Sequence, residues 1–211
     1  MKTKQALMIG AALIAATLFT TLLLYAKLPE RIPIHWNIRG EVDGWGDKRW
    51  AVFLMPGTMA LLVGMILGLP ILSPRGFRIQ PFLSTFNYLM IACTALMGYL
   101  HGCMLLAALH PDLETGRMLM GGLFLFIALI GNVMGKTRRN FWMGVRTPWT
   151  LASETVWVAT HRLAGQLWVG VGIAGAIAVW LGVSPVVCFT ALMVAMLFPV
   201  FYSYVYYRRL Q

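Results

Sequence analysis

The sequence predicts an all-α, polytopic membrane protein with about six transmembrane helices. Hydrophobic residues make up 59% of the 211 residues, whereas charged residues make up only 11%. An ordinary soluble domain carries about 25% charged residues, so this chain has too little polar surface to cover a soluble fold. The apolar residues are collected in six runs, with the basic residues in short clusters between them. We therefore expect a single membrane domain over residues 1–211.

Each of the six apolar runs is long enough to cross a bilayer. An α-helix rises about 1.5 Å per residue, so about 20 residues span roughly 30 Å of hydrocarbon. In lipid, only a helix satisfies its backbone hydrogen-bonding groups within one segment. The first run has no small-residue cleavage site, so we expect it to be retained. Only Val183 and Ser184 separate the last two, which predicts a tight helical hairpin. The runs cover residues 6–26, 51–72, 82–109, 118–135, 163–182 and 185–207.

The basic residues predict that both termini lie in the cytoplasm, because cytoplasmic loops carry an excess of lysine and arginine. In this orientation six of the seven acidic residues fall outside, and only Glu154 falls inside. The net charge of +10 is then a topology signal, so we expect the lipid bilayer as a partner and no direct nucleic-acid binding. Eleven of the 17 basic residues fall on the inner side: Lys2, Lys4, Arg75, Arg78, Lys136, Arg138, Arg139, Arg146, Arg162, Arg208 and Arg209.

The outer loop, residues 27–50, is predicted to be ordered. Pro29 and Pro33 favour extended structure and prevent a helix from continuing. Isoleucine or tryptophan recurs at every second position, a strand period, at Ile32, Ile34, Trp36 and Ile38. Three glycines then mark turns, at Gly40, Gly44 and Gly46. We expect a small cap that packs on the membrane surface through Trp36, Trp45 and Trp50.

The polar side chains of this loop are candidate binding residues: His35, Asn37 and Asp43, with Asp47 beyond them. One interpretation is structural, in which His35 and Asn37 hydrogen-bond the backbone of their own loop. A second is recognition of a peptide or another ligand. A metal site is the weakest interpretation, since no pair of ligands has a diagnostic spacing. We expect neither a metal nor a cofactor.

The inner segment, residues 136–165, interleaves basic and aromatic residues. This pattern suits an anionic lipid interface, with rings at headgroup depth. Pro148 ends any preceding helix, and Thr150 or Ser153 can cap a new helix that has Glu154 in its first turn. We expect an inner interfacial helix that lies along the membrane and bends near Gly165 into the fifth span.

Three polar residues of the inner segment lie near one another on the predicted helix. Glu154 and His161 are seven residues apart on one face, and Arg162 adjoins His161. They could form an electrostatic clasp between cytoplasmic ends, a docking surface for a partner, or a catalytic cluster. No serine or cysteine nucleophile is placed with a base, so we predict no enzyme and no catalytic residue.

His101 and Asn132 are the candidate site residues within the predicted spans, and Asn87 and Thr94 also make the third span the most polar. His101 lies about 12 Å from the outer end of the third span. An ionisable group at that depth is a functional candidate by default, and the alternative is a neutral histidine hydrogen-bonded across the bundle. Asn132, in the fourth span, is expected to form an interhelical hydrogen bond.

The motifs of both loops resemble the SdpI family of bacterial membrane proteins. The inner match comprises Gly131, Asn132, Asn140, Gly144, Arg146, Thr147, Pro148, Trp149, Thr150, Glu154, Trp157, Thr160, His161, Arg162 and Gly165. The outer loop resembles a short domain of unknown function that often precedes it, through Pro29, Ile32, Pro33, His35, Asn37, Gly40, Asp43 and Lys48. The family is associated with immunity to a secreted, membrane-active peptide toxin.

The resemblance implies a protein of the bacterial cytoplasmic membrane that gives resistance to such a toxin. It also implies binding of the peptide outside and sequestration of a cytoplasmic repressor inside. The motif residues of the inner segment, among them Asn140, Arg146, Thr147, Trp149 and Trp157, are then candidates for partner binding. A small transporter or channel with His101 in its pathway is the alternative. The sequence leaves the oligomeric state open.

Overall fold

The computed structural model describes residues 1–211 as a bundle of helices with one β-hairpin at an end. Six helices are long and apolar enough to cross a membrane. This confirms the predicted fold class, an all-α polytopic bundle. The elements are α1 (Thr3–Leu24), β1 (Arg31–Trp36), β2 (Val42–Asp47), α2 (Lys48–Leu72), α3 (Leu83–Leu109), α4 (Thr115–Met134), α5 (Pro148–Ala152), α6 (Glu154–Trp180) and α7 (Pro185–Arg209).

The helices begin where the local chemistry satisfies their first backbone N–H groups. The Asp47 carboxylate accepts from the N–H of Arg49 at 2.9 Å, so β2 runs directly into α2. The Ser153 hydroxyl caps α6 in the same way, as predicted. Pro185 opens α7, where its missing N–H costs nothing. Since α6 ends at Trp180, the predicted hairpin between the last two spans is confirmed.

The six long helices form two groups of three. The first group is α1, α2 and α3, and the second is α4, α6 and α7, with α3 and α4 packed together at the junction. Buried apolar side chains fill each group, including Phe86 and Ile66 in the first, and Phe124 and Trp168 in the second. Many large apolar side chains point outward, as lipid contact requires.

We call the end of the bundle that carries the hairpin the outer face and the opposite end the inner face, following the predicted orientation. The outer loop forms an antiparallel hairpin of β1 and β2, here called the outer hairpin. Its first strand ends at Trp36, so Ile38 lies in the turn rather than in the predicted strand. Trp45 and Trp50 are half exposed, so both rings are accessible for the predicted contact with the membrane surface.

The inner segment differs from its prediction in two ways. One helix, α6, continues from Glu154 to Trp180, so no break in the helix separates an interfacial part from the fifth span at Gly165. Gly165 instead packs against the backbone of Gly131 in α4. Trp157, predicted at headgroup depth, is fully buried. The segment therefore folds into the bundle, because its aromatic and hydroxyl side chains find partners there.

Candidate functional site

The outer hairpin brings His35 and Asp43 together. Nδ1 of His35 lies 2.5 Å from Oδ1 of Asp43 across the two strands, and both side chains are well exposed. A polar pair that is accessible in this way can exchange its internal contact for one with a ligand. It is the part of the predicted outer site that the fold assembles.

Asn37 has a structural role instead. Its Oδ1 accepts from the backbone N–H groups of Arg39 and Glu41, at 2.8 and 3.1 Å. Its Nδ2 donates to the Glu41 carboxylate at 3.0 Å. These bonds close the turn between β1 and β2, as the structural interpretation predicted. No group of three or more histidine, cysteine or acidic side chains is placed to hold a metal ion.

The hairpin is docked on the start of α4. Nε1 of Trp36 donates to Oγ1 of Thr115 at 3.2 Å. Gly40, with a φ of 81°, lies directly on the backbone of Gly116, where any side chain on Gly116 would collide. This backbone contact fixes the hairpin tip above the junction between the two helix groups.

Below the hairpin is a cavity of about 500 Å³, here called the outer cavity. Its wall is mainly apolar, and its rim carries polar groups of the hairpin and of α4. Both helix groups contribute residues to the wall: Leu54 from α2, Leu100 and Met104 from α3, Leu119 from α4 and Val179 from α6. Pockets of this size and composition are typical small-ligand sites.

On the inner face, Asn140 organises the connection between α4 and α5. The side chain is fully buried. Its Oδ1 accepts from the N–H groups of Trp142 and Met143, at 2.8 and 2.9 Å. Its Nδ2 donates to the carbonyls of Arg138 and Met143. The side chain has used its hydrogen-bonding capacity within the loop, so it cannot also bind a partner.

His161 ties the same loop to α6. Its Nε2 accepts from the N–H of Val145 at 2.9 Å, and its Nδ1 lies 2.8 Å from the carbonyl of Trp157. A carbonyl accepts only, so the proton is on Nδ1 and the imidazole is neutral. The ring stacks on Trp157 with centroids 3.9 Å apart, and Trp157 donates from Nε1 to the carbonyl of Thr137 at 3.2 Å.

Thr147 and Trp149 attach the loop to α7. Oγ1 of Thr147 lies 3.1 Å from Oγ of Ser203, and both are buried. The ring of Trp149 packs against Tyr204 at 4.9 Å. Oγ1 of Thr150 donates to the carbonyl of Val145 at 2.8 Å, so Thr150 closes the loop rather than capping α6. The motif residues therefore mostly build a buried scaffold.

The exposed charged members of the inner motif are Arg146, Glu154 and Arg162. The predicted cluster of Glu154, His161 and Arg162 does not form, because His161 points into the bundle and the other two point away from it. Glu154 instead lies 3.6 Å from Arg139, which resembles the predicted clasp. Glu154 and Arg162 share a groove between α6 and α7 that Tyr202 and Tyr206 also line. These residues form the accessible inner surface.

The two intramembrane candidates have different environments. His101 is buried, and its Nε2 lies 2.7 Å from Oγ1 of Thr21 in α1. This matches the predicted hydrogen bond across the bundle, and His101 does not line the outer cavity. The prediction for Asn132 was wrong. Its side chain is exposed near the inner end of α4 and forms no interhelical hydrogen bond.

Some of the residues that hydrogen-bond the predicted site residues could not be identified from the sequence. Thr21 and Ser203 are ordinary small polar residues within apolar runs, yet they hydrogen-bond His101 and Thr147. Asn87 is buried and donates to the carbonyl of Met1 and to Thr3 at 3.2 Å, which ties the start of α1 to α3. Interhelical spacing decides these contacts, and the sequence of one helix does not encode it.

Six helices that are long and apolar enough to cross a membrane, an ordered outer hairpin and a buried inner motif define a multi-pass membrane protein. Each of the two motif regions matches the model of a known protein family. Residues 136–203 match the SdpI/YfhL protein family, and residues 12–60 match a domain of unknown function, DUF1648. The predicted resemblance is therefore confirmed: the second half of the chain is similar to the SdpI/YfhL family, and a region similar to this second domain precedes it.

The similarity to one relative extends over almost the whole chain. The chain is 28% identical over 204 residues to the immunity protein SdpI of Bacillus subtilis (strain 168), and the similarity covers 96% of each chain. No solved structure matches significantly.

Proposed function

We propose that this chain is an immunity protein of the bacterial cytoplasmic membrane that protects the cell against a secreted, membrane-active peptide. The observation that carries the proposal is the similarity to the Bacillus subtilis immunity protein over 96% of both chains. A match of that extent includes the outer hairpin, the six spans and the inner segment together. It thus supports a shared role for the whole molecule rather than for one motif.

Contact with the peptide is assigned to the outer hairpin. His35 and Asp43 are exposed, form one polar pair and lie on a hairpin fixed against α4. A fixed polar pair loses little conformational entropy on binding, which favours recognition. Asn37 contributes by holding the turn rather than by touching the ligand.

Survival of a sensitive bacterium challenged with a peptide-secreting strain tests this function. Expression of the wild-type chain should raise survival. His35→Ala and Asp43→Ala should lower it at equal membrane abundance, while His110→Ala and Asp112→Ala, exposed residues of the α3–α4 loop, should not. If expression of the wild-type chain leaves survival unchanged, the proposed function is wrong.

Docking of a cytoplasmic regulator is assigned to the inner surface of Arg146, Trp149, Glu154 and Arg162. Arg146 and Arg162 are exposed cations, and Glu154 with Arg162 lines the groove beside α7. Mixed charges around an aromatic side chain are typical of reversible protein contacts. The rest of the motif keeps this surface in place.

A reporter driven by the promoter of this gene tests the docking separately. The double variant Glu154→Gln, Arg162→Gln should abolish the rise in transcription that the peptide induces and leave survival of constitutively expressing cells intact. Arg208→Gln, an exposed cation at the end of α7, is the control. An unchanged induction in the double variant would remove the regulator-docking role and leave immunity standing.

A further inference from the structure

The outer cavity lies where the two helix groups meet. Leu54 and Leu100 belong to the first group, whereas Leu119, Leu123 and Val179 belong to the second. Binding sites in helical bundles occur at such junctions, since two packed units leave unfilled space between them. The cavity also contains Met55, Met104 and Met120, whose flexible side chains adapt to irregular apolar partners.

The cavity borders the second half of β1, a strand with one free edge. Four consecutive residues, Ile34 to Asn37, contribute to its wall. The first three belong to β1 and Asn37 begins the turn. The register of β1 on β2 shifts on both sides of His35 and leaves Ile34 without a partner residue in β2. The other edge of β1 is taken by β2, because the sheet has only two strands. An open strand edge beside an apolar pocket is the arrangement that binds extended peptides by strand addition.

The rim of the cavity carries an unpaired cation. Arg117 lies 3.1 Å from Glu114 and is neutralised by it. The Arg39 side chain, in the hairpin turn, is exposed and makes neither an ion pair nor a side-chain hydrogen bond. The rim is thus complementary to one negative charge, and a planar guanidinium suits a carboxylate best.

We propose that the outer cavity binds an extended, apolar peptide segment along the edge of β1, with a carboxylate of that segment paired to Arg39. The segment contributes backbone hydrogen bonds to the strand and apolar side chains to the cavity. The proposal rests on the proposed function in that the natural ligand is the secreted peptide, and it names the chemistry that the site selects. A lipid acyl chain would use the cavity but not the strand edge.

Binding of a defined probe tests this chemistry without cells. The probe is a pentapeptide of leucine and valine with an amino-terminal fluorophore and a free carboxylate, and its anisotropy is measured with the full chain in phosphatidylcholine nanodiscs. A second probe has a carboxyl-terminal amide. Arg39→Gln should weaken binding of the probe with the free carboxylate by about fivefold, the upper range for an exposed ion pair. Binding of the amide probe should be unchanged. Arg31→Gln, in the same hairpin but outside the cavity wall, is the matched control.

Variants that fill the outer cavity with a larger side chain are the second part of the binding experiment. Leu54→Trp and Leu119→Trp should each reduce binding of both probes by at least about tenfold, since the lost apolar contacts exceed about 1.4 kcal/mol. Leu61→Trp, at an exposed position of α2 two turns beyond Leu54 and outside the cavity wall, should leave binding unchanged. Two filling variants on different helices guard against a folding defect in one.

Three outcomes overturn the proposal: no binding of the probe to the wild-type chain, binding that both filling variants leave intact, or equal loss of acid and amide in Arg39→Gln. Dodecanoate that displaces the probe as effectively as unlabelled peptide would instead assign the cavity to lipid and overturn it as well. Failure of the proposed function is distinguishable, because it is read from survival. A chain that protects cells but fails these binding tests keeps its function and loses this site.

Discussion

The backbone N–H of Val145 donates to Nε2 of His161 at 2.9 Å, and this bond joins the inner loop to the sixth helix. The opposite ring nitrogen of His161 binds the carbonyl of Trp157 within the same helix. One neutral imidazole thus fixes the loop and is itself fixed by the helix. This part of the motif therefore has a structural role. Binding is assigned to the exposed residues that the loop and α6 hold in place.

Replacing His161 should loosen this joint. His161→Phe keeps a ring stacked on Trp157 but removes the acceptor for the Val145 N–H, and an unpaired buried donor costs about 1–3 kcal/mol. We expect a lower melting temperature in detergent and faster proteolysis between residues 136 and 153. Arg162→Ala, the exposed neighbour, should change the free energy of unfolding by less than about 0.5 kcal/mol. Equal melting temperatures for His161→Phe and the wild type would show that the bond does not hold the loop.

Two features of the structure require a glycine at position 144: its backbone conformation and the close approach of the His161 ring. Its φ of 103° is disfavoured for any residue with a side chain, and a Cβ there would collide with the His161 ring. Gly144→Ala should therefore destabilise the protein by at least about 1–3 kcal/mol. Gly102→Ala is a matched control, because its Cβ would meet nothing within 4 Å. If Gly102→Ala destabilises the protein as much as Gly144→Ala does, the effect comes from replacing any glycine and not from the contact with His161.

The sequence predicted the parts of this molecule that depend on local chemistry. Hydrophobic run length gave the six spans, and Ser153 gave the start of α6, because helix length and capping are decided within a few residues. Two prolines and the strand period of the outer loop predicted its extended half. The resemblance drawn from the motifs was confirmed over both loops.

The sequence could not predict which polar residues face each other. Glu154, His161 and Arg162 are adjacent on a helical projection, yet the packing of α6 on α4 buries only His161. Asn132 faces away from the bundle for the same reason. The cavity below the hairpin depends on how six separate elements meet, and no single run of residues predicts that space.

Asp47 should confer a pH-dependent stability on the outer hairpin. Hydrogen bonds from the Arg49 side chain and backbone N–H lower the pKa of Asp47 from 3.8 to about 2. Because the folded carboxylate binds its proton more weakly, its stabilisation is complete above pH 3.8 and is lost as the pH falls towards 2. The difference in melting temperature between the wild type and Asp47→Asn should narrow over that interval. Arg49→Gln should remove most of this pH dependence, and a constant difference would contradict the role of the ion pair.

The predicted orientation places the hairpin outside the cell and the motif loop inside. In a variant whose three cysteines are replaced by serine, single cysteines at Glu41→Cys and Arg138→Cys report the two faces. A membrane-impermeant maleimide applied to intact cells should label Glu41→Cys, whereas Arg138→Cys should react only after lysis. The reverse labelling pattern would invert the topology and move the peptide-binding face to the cytoplasm.

Photocrosslinking in living cells tests the central claim, that the peptide is bound in the cavity under the outer hairpin. A photoreactive amino acid replaces Leu54, in the cavity wall, or Leu61, an exposed residue two turns further along the same helix and outside that wall. Cells that express either variant are exposed to the secreted peptide and illuminated, and the adduct is detected by mass. We predict an adduct at position 54 and none at 61. Equal adducts at both positions, or none at 54 in a variant that still protects the cell, would contradict the account.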